Sequence, residues 1–477
     1  MILSRRFFFP LAFLASLVFS RGGERPNVIV ILSDDQGWAD IGYHNPKVYT
    51  PNLDRLARTG MILKQQYVMP QCTPTRVALM TGRFPSRFGG DALHASNRPA
   101  FPLGTPTLAS FFQSEDYETF MSGKWHLGST PEHGPNHFGF DESHGSLTGA
   151  VGMYDHRYHA KADTPFDPTW HRNDEIIPGY QNGRHVTDVT RDEAVRFIEK
   201  KRDGPFFLYL PFHAPHTPLD ERGAFTDSPT RPDPERPDRW LHENDIKWFH
   251  DPKGLIQAEP SRDKRLLLAT VHHLDSAMGD IVEALERTGQ REKTVILFSS
   301  DNGPWRNNRG GGYPDNFPLK DYNQPSSLRG KKLDVWEGGI RVPGFINWPG
   351  KISPGTVEGP VHIVDWLPTL AGILGKRPDW ADDWDGIDLG PVLLKGRKVP
   401  ERDLYWTWSP KIDRWALRLG QWKIVKYGVG EPKKKQWQLY QIEKDPGEKR
   451  DLSSAHPEVV AELHRRFLKQ REKDVRN

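Results

Sequence analysis

Two apolar runs constrain this chain more than any other feature of it. Residues 25–33 (RPNVIVILS) and 294–299 (TVILFS) are nearly continuous β-branched and aliphatic stretches. The first stops abruptly at Asp34-Asp35, and the second gives way to Asp301-Asn302. A strand with one wet face alternates apolar and polar residues, whereas one buried on both faces has no reason to. Both runs are therefore expected to be interior strands of a parallel sheet. Their polar ends are expected to converge at its carboxyl edge, where open α/β sheets hold ligands.

The rest of the chain fits the same scheme. Thr50-Pro51 reads as an N-cap with proline at the first helical position, opening a helix to Gly60. A short helix is expected over 73–82, a strand over 117–121, a helix over 187–201, a strand over 206–212 and a long helix over 261–288. Strands alternating with helices make an α/β fold with a large, mostly parallel sheet flanked by helices. The stretches 129–186, 213–260 and 302–330, rich in Pro, Gly, Asp, Arg and Trp, read as long loops over the strand ends. Beyond Pro400 the pattern changes. Segments 403–408, 413–419, 421–427 and 436–442 alternate, and a helix follows over 456–472, so a smaller C-terminal antiparallel sheet plus helix is expected. The expected division is 1–23, 24–399 and 400–477.

Residues 1–23 carry Arg5 and Arg6 ahead of a mostly apolar stretch over 7–19, with Ala15, Ser16 and Ser20 near its end. That stretch is shorter than the roughly 18–20 residues a spanning helix needs, so it reads as a removable export signal rather than an anchor. A periplasmic or extracellular protein with no stable membrane anchor is expected. With 65 Lys+Arg against 62 Asp+Glu, the chain lacks the basic excess of a nucleic-acid binder. Exported proteins ordinarily pair their cysteines, yet this one has only Cys72. It is either a small buried thiol or a residue kept for chemistry.

Cys72-Thr73-Pro74-Thr75-Arg76 sets Cys, Pro and Arg at fixed spacing, and Gly123-Lys124-Trp125-His126-Leu127-Gly128 follows downstream. Were the second segment extended, Lys124 and His126 would share one face. These two stretches, with RPNVIVILSDDQGWADIG, PFHAPHTP, SSDNG and LRGKKLDVWEGGIRVP, resemble the type I sulfatases, the formylglycine-dependent branch of the alkaline phosphatase superfamily. The resemblance runs from residue 25 to the C-terminus and is to enzymes of the arylsulfatase and N-acetylgalactosamine-6-sulfatase kind.

The resemblance implies a role for each matched position. Cys72 would be oxidised by a formylglycine-generating or other sulfatase-maturating enzyme to formylglycine. One hydroxyl of the hydrated aldehyde would attack sulfur, and the other would collapse to expel sulfate. Asp34, Asp35, Asp301 and Asn302 would hold one calcium ion, an oxygen-only set suited to a hard cation, less often magnesium. Strand-end acids also serve as turn formers and N-caps, the plainer alternative. Asp301 would double as the base for the diol proton. Arg76 and His126 would hold the hydrated aldehyde, while Lys124 and Lys332 would clamp the sulfate oxygens. Lys331 is the rival of Lys332, and the chain departs from the family at Lys331, Leu333 and Asp334. His216 would protonate the leaving alkoxide, with His213 as its rival. His272, His273 and Asp275 read as packing and capping residues. Ser300 and the glycine run 309–312 are weak candidates for substrate contact. Sixteen Trp and many cationic residues suit sugar stacking and anion pairing, which favours a sulfated carbohydrate over a small aryl sulfate. The expected activity is sulfate-ester hydrolysis. The alternatives are phosphate-ester or phosphonate hydrolysis on the same scaffold, and non-catalytic binding of sulfated glycans.

Overall fold

Asn27–Ser33 is a strand buried along its whole length near the middle of a ten-stranded sheet. The computed structural model describes residues 25–475 apart from 155, 159–168, 178–183, 220, 222–251, 261, 306–327, 409–413 and 428–435. The expected export signal, most of the 213–260 and 302–330 stretches, and the glycine run 309–312 lie outside the described residues.

Five strands at the centre of the sheet run parallel, in the spatial order Thr294–Ser300, Asn27–Ser33, Phe206–Pro211, Glu118–Lys124 and Glu142–Ser146. Gly344–Asn347 adds an antiparallel strand beside Thr294–Ser300, and Trp170–Arg172 adds one beside Glu142–Ser146. The continuous apolar runs have a direct cause. Val28, Val30 and Leu32 enter one core, and Ile29 and Ile31 enter the other, so every position of the strand is inside.

The helices Pro51–Arg58, Val186–Glu199 and Arg262–Arg287 cover one face of the sheet. Cys72–Thr81, Leu108–Ser114 and Trp366–Ile373 cover the other. A four-stranded antiparallel sheet, Leu404–Trp408, Arg414–Leu419, Trp422–Tyr427 and Gln438–Gln441, packs with the helix Pro457–Arg471 on the same side as Cys72–Thr81 and shares its core. Trp406 Nε1 donates to the Val68 carbonyl across that junction at 2.9 Å. No helix among the described residues is long and apolar enough to cross a membrane.

The stretch 129–186 is not simply loop. It contributes the strands Glu142–Ser146, Trp170–Arg172 and Glu175–Ile176. Glu142–Ser146 reads ESHGS and has no apolar run to betray it. Its buried Ser143, His144 and Ser146 are held instead by hydrogen bonds to Asn136, Trp170 and His213. The Glu118–Lys124 strand also extends three residues beyond the expected 117–121.

Candidate active site

The Asn27–Ser33 and Thr294–Ser300 strands pair in parallel with Ser33 opposite Ser300. Asp34-Asp35 and Asp301-Asn302 therefore leave the sheet side by side, and all four are buried. The Asp35 backbone N–H donates to Asp301 Oδ1 at 3.1 Å, and Asn302 Nδ2 donates to Asp35 Oδ1 at 2.7 Å. Asp35 adopts a φ of +65°, a left-handed turn that short polar residues tolerate better than most. The turn keeps its carboxylate inside the group.

Cys72 is the first residue of the Cys72–Thr81 helix, one position earlier than its sequence pattern suggests. Its sulfur and one carboxylate oxygen from each of Asp34 and Asp301 lie within 4.8 Å of one another. Thr75 Oγ donates to the Asp301 carbonyl at 2.5 Å, tying the helix to the strand end. One turn on, the buried Arg76 guanidinium donates to Asp301 Oδ2 at 3.0 Å and to the Lys124 carbonyl at 2.7 Å. Burial pushes the Cys72 thiol up against the pull of Lys124 and Lys332. The unmodified side chain is thus a neutral thiol, not an activated thiolate.

Lys124 ends its strand with Nζ 2.5 Å from Asp34 Oδ2. His126 does not reach the site by two-residue alternation, because the strand has already ended and His126 has a φ of +57°. The turn presses its ring onto Gly149, where an added Cβ would stand 2.3 Å from the imidazole. Burial, reinforced by Lys124, Arg76 and Lys332, pulls His126 well below its ordinary range and keeps the ring neutral. Lys332, not Lys331, reaches the acids, with Nζ 2.7 Å from Asp35 Oδ1. His216 Nε2 stands 3.7 Å from Asp35 Oδ2, whereas His213 turns to Ser146 Oγ at 2.9 Å. Burial lowers His216 against the opposing pull of Asp34 and Asp35. All ten residues expected from the sequence thus meet in one place.

Three carboxylates face three cationic side chains there. Among the described residues, Asp34 Oδ1 and Asn302 Oδ1 are buried without a hydrogen-bond partner. Orphaned buried acceptors are costly, and oxygens from two adjacent strand ends match the donor preference of a hard divalent cation. The residues present fit such an ion.

A family profile described as Sulfatase matches residues 26–376. The chain belongs to the sulfatase family. The sulfatase is 30% identical to mouse arylsulfatase J over 94% of its own length and 76% of that protein. It is 30% identical to human arylsulfatase A over 95% of this chain and 88% of the relative. Mouse N-acetylgalactosamine-6-sulfatase matches at 30% over 83% and 71% of the two chains. Among solved structures, Ps i-CgsB, crystallised in complex with k-i-k-neocarrahexaose, superposes with a TM-score of 0.75 at 29% identity, covering 94% of each chain.

The sulfatase site also holds residues that sequence reasoning passed over. Thr75 lies inside the Cys-x-Pro-x-Arg stretch, so its spacing was visible although its bond to Asp301 was not. Thr73 Oγ donates to the His126 carbonyl at 3.2 Å. Tyr209 lies against Arg76 from within an apolar strand, where no sequence signal separates it from a core ring. Ser300 turns to the Asn302 carbonyl and accepts from the Gln36 N–H, so it braces the strand ends. Asp275 accepts from the N–H groups of Asn52 and Leu53, capping the Pro51–Arg58 helix as expected. His273 is more than packing. Its Nδ1 lies 3.2 Å from Glu221 and its Nε2 3.2 Å from Asp188. His185, Glu221 and His273 are close enough to hold a metal ion. However, His185 Nδ1 accepts from the Thr187 N–H, and His273 faces a carboxylate through each nitrogen. That pattern is an imidazolium clamped between acids, and burial is overcome by Glu221 and Asp188 to push it up to about 9.

Proposed function

We propose that this sulfatase is an exported enzyme that hydrolyses sulfate esters on carbohydrates, with formylglycine at position 72 and one calcium ion. The observation that carries this reading is the convergence of Cys72 Sγ with carboxylate oxygens of Asp34 and Asp301 inside 4.8 Å. The names of the N-acetylgalactosamine-6-sulfatases and the neocarrahexaose bound to Ps i-CgsB favour a sulfated sugar as substrate. Residues 1–23 support export.

Asp34, Asp35, Asp301 and Asn302 would hold the calcium, which neutralises charge on a sulfate oxygen and acidifies a neighbouring hydroxyl. The matured residue 72, made by a sulfatase-maturating partner, would supply a nucleophile that frees itself of sulfate by losing a proton. Lys124 and Lys332 stand fixed by Asp34 and Asp35 where sulfate charge gathers, so little reorganisation accompanies the reaction. Arg76 fixes the backbone of Lys124 and the carboxylate of Asp301 together, keeping nucleophile and charge-binding groups in register. Neutral His126 orients the nucleophile as a hydrogen-bonding group, not as a cation. His216, the most exposed of these groups with 17% of its side chain accessible, would protonate the departing alcohol once it has itself taken up a proton from solvent.

The test is turnover of matured enzyme on matched sulfate, phosphate and phosphonate monoesters and on a panel of sulfated oligosaccharides. Faster release from sulfate esters, and from sugar sulfates above aryl sulfates, is expected. Preference for a phosphorus ester, or tight glycan binding without turnover, would overturn the reading.

A further inference from the structure

Lys332 is followed by a strained elbow. Leu333 has a φ of +76°, a left-handed conformation that a branched bulky side chain adopts only when its surroundings force it. The forcing contacts come from two sides. From the helix side, the Leu333 N–H donates to the Pro70 carbonyl at 2.7 Å, two residues before Cys72, and the Lys332 N–H donates to the Pro304 carbonyl at 3.1 Å. From the C-terminal sheet, Arg414 Nη1 donates to the Leu333 carbonyl and, at 2.9 Å, to Asp334 Oδ1. The Arg414 guanidinium is itself held over the Trp408 and Tyr427 rings, 5.1 and 5.2 Å from their centroids. Asp334 completes the elbow, its Oδ2 accepting from the Lys331 N–H at 3.1 Å.

A glycine would take the positive φ without strain, whereas leucine must be held there. We infer that Arg414 is a positioning residue for sulfate-ester hydrolysis: it clamps the Leu333–Asp334 elbow and so aims Lys332 at the Asp35 side of the pocket. The C-terminal sheet thereby takes part in catalysis without touching the ester. This inference rests on the proposed role of Lys332 in gripping sulfate.

A double-mutant cycle in the full-length, matured enzyme tests it, with melting temperature followed alongside kcat/KM. Arg414→Gln should lower kcat/KM at least ten-fold. In a Lys332→Ala background the same change should cost less than two-fold, because a residue acting through Lys332 has nothing left to aim. Adding Leu333→Gly to Arg414→Gln should recover part of the loss by removing the need for a clamp. Should Arg414→Gln not fold, Arg414→Lys, which keeps the cation but not the forked geometry, should still lose at least three-fold. Losses that simply add in the cycle, or full activity in the Arg414 variants while Lys332→Ala is impaired, would overturn the positioning role alone. An unimpaired Lys332→Ala would overturn both this role and the proposed grip on sulfate.

Discussion

Two of the charge clusters that the sulfatase buries are built differently. In the C-terminal part, Lys423 Nζ stands 2.9 Å from both Glu337 and Glu448, while Tyr67 OH donates to Glu337 at 2.6 Å and accepts from Arg418. Glu337 N–H closes the set on Glu448 Oε2 at 2.7 Å. Arg418 and Lys423 come from strand interiors, Tyr67 and Glu337 from the ends of short elements and Glu448 from a left-handed turn, and the carboxylates meet cations belonging to the protein. At the sheet edge, the acids sit on strand ends, Asp35 and His126 are left-handed, and Asp34 Oδ1 and Asn302 Oδ1 face no donor among the described residues. The first arrangement sets one lysine of the protein between its two carboxylates and serves packing. The second gathers its acids at strand ends and leaves buried acceptor oxygens without a donor among the described residues, a donor set that suits a hard cation.

If that contrast holds, the two clusters answer mutation in different currencies. Cys72→Ala should cut turnover by more than about 10³-fold, while melting temperature and calcium affinity stay near those of the parent. Near-normal turnover would remove residue 72 from the chemistry. Lys423→Ala should do the reverse, destabilising the fold by about 3–5 kcal/mol in a denaturant titration by stranding two buried carboxylates. A loss under about 1 kcal/mol would mean water enters that network. Calcium chelation should lower turnover by about 10²-fold, reversibly on adding the ion back, and leave the C-terminal sheet folded. Insensitivity to chelation would favour the plainer view of the strand-end acids.

The smallest effect concerns pH. His273 is raised from its ordinary 6.5 to about 9 by Glu221 and Asp188, with Arg191 beside Asp188 and the ring of His185 close by. Its stabilising contribution is therefore complete below about pH 6.5 and is lost as pH climbs through about 9. Denaturation at pH 6 and pH 9.5 should show a fall of roughly 1–3 kcal/mol that His273→Gln abolishes. A fall of equal size in the variant would assign it elsewhere.

The same contrast explains what the sequence made legible. Asn27–Ser33 and Thr294–Ser300 announce themselves because strands covered on both faces need apolar residues at every position. Their acidic ends were readable for the same reason. The level pairing of Ser33 with Ser300, which brings Asp34 beside Asp301, is a property of register and has no local signature. His126 was expected on the right side for the wrong reason, since its turn rather than alternation places it. The Glu142–Ser146 strand was missed because its interior positions are satisfied by hydrogen bonds in place of hydrophobic burial. Lys332 could be told from Lys331 only by counting back from Glu337, and Arg414 could not be connected to either across some eighty residues of sequence.

The most direct measurement is the mass of the peptide containing residue 72, taken from active enzyme purified from the cell that makes it. An aldehyde, or its hydrate, in place of the thiol is the expected result. An intact cysteine in enzyme that still turns over sulfate esters would contradict the mechanism at its first atom.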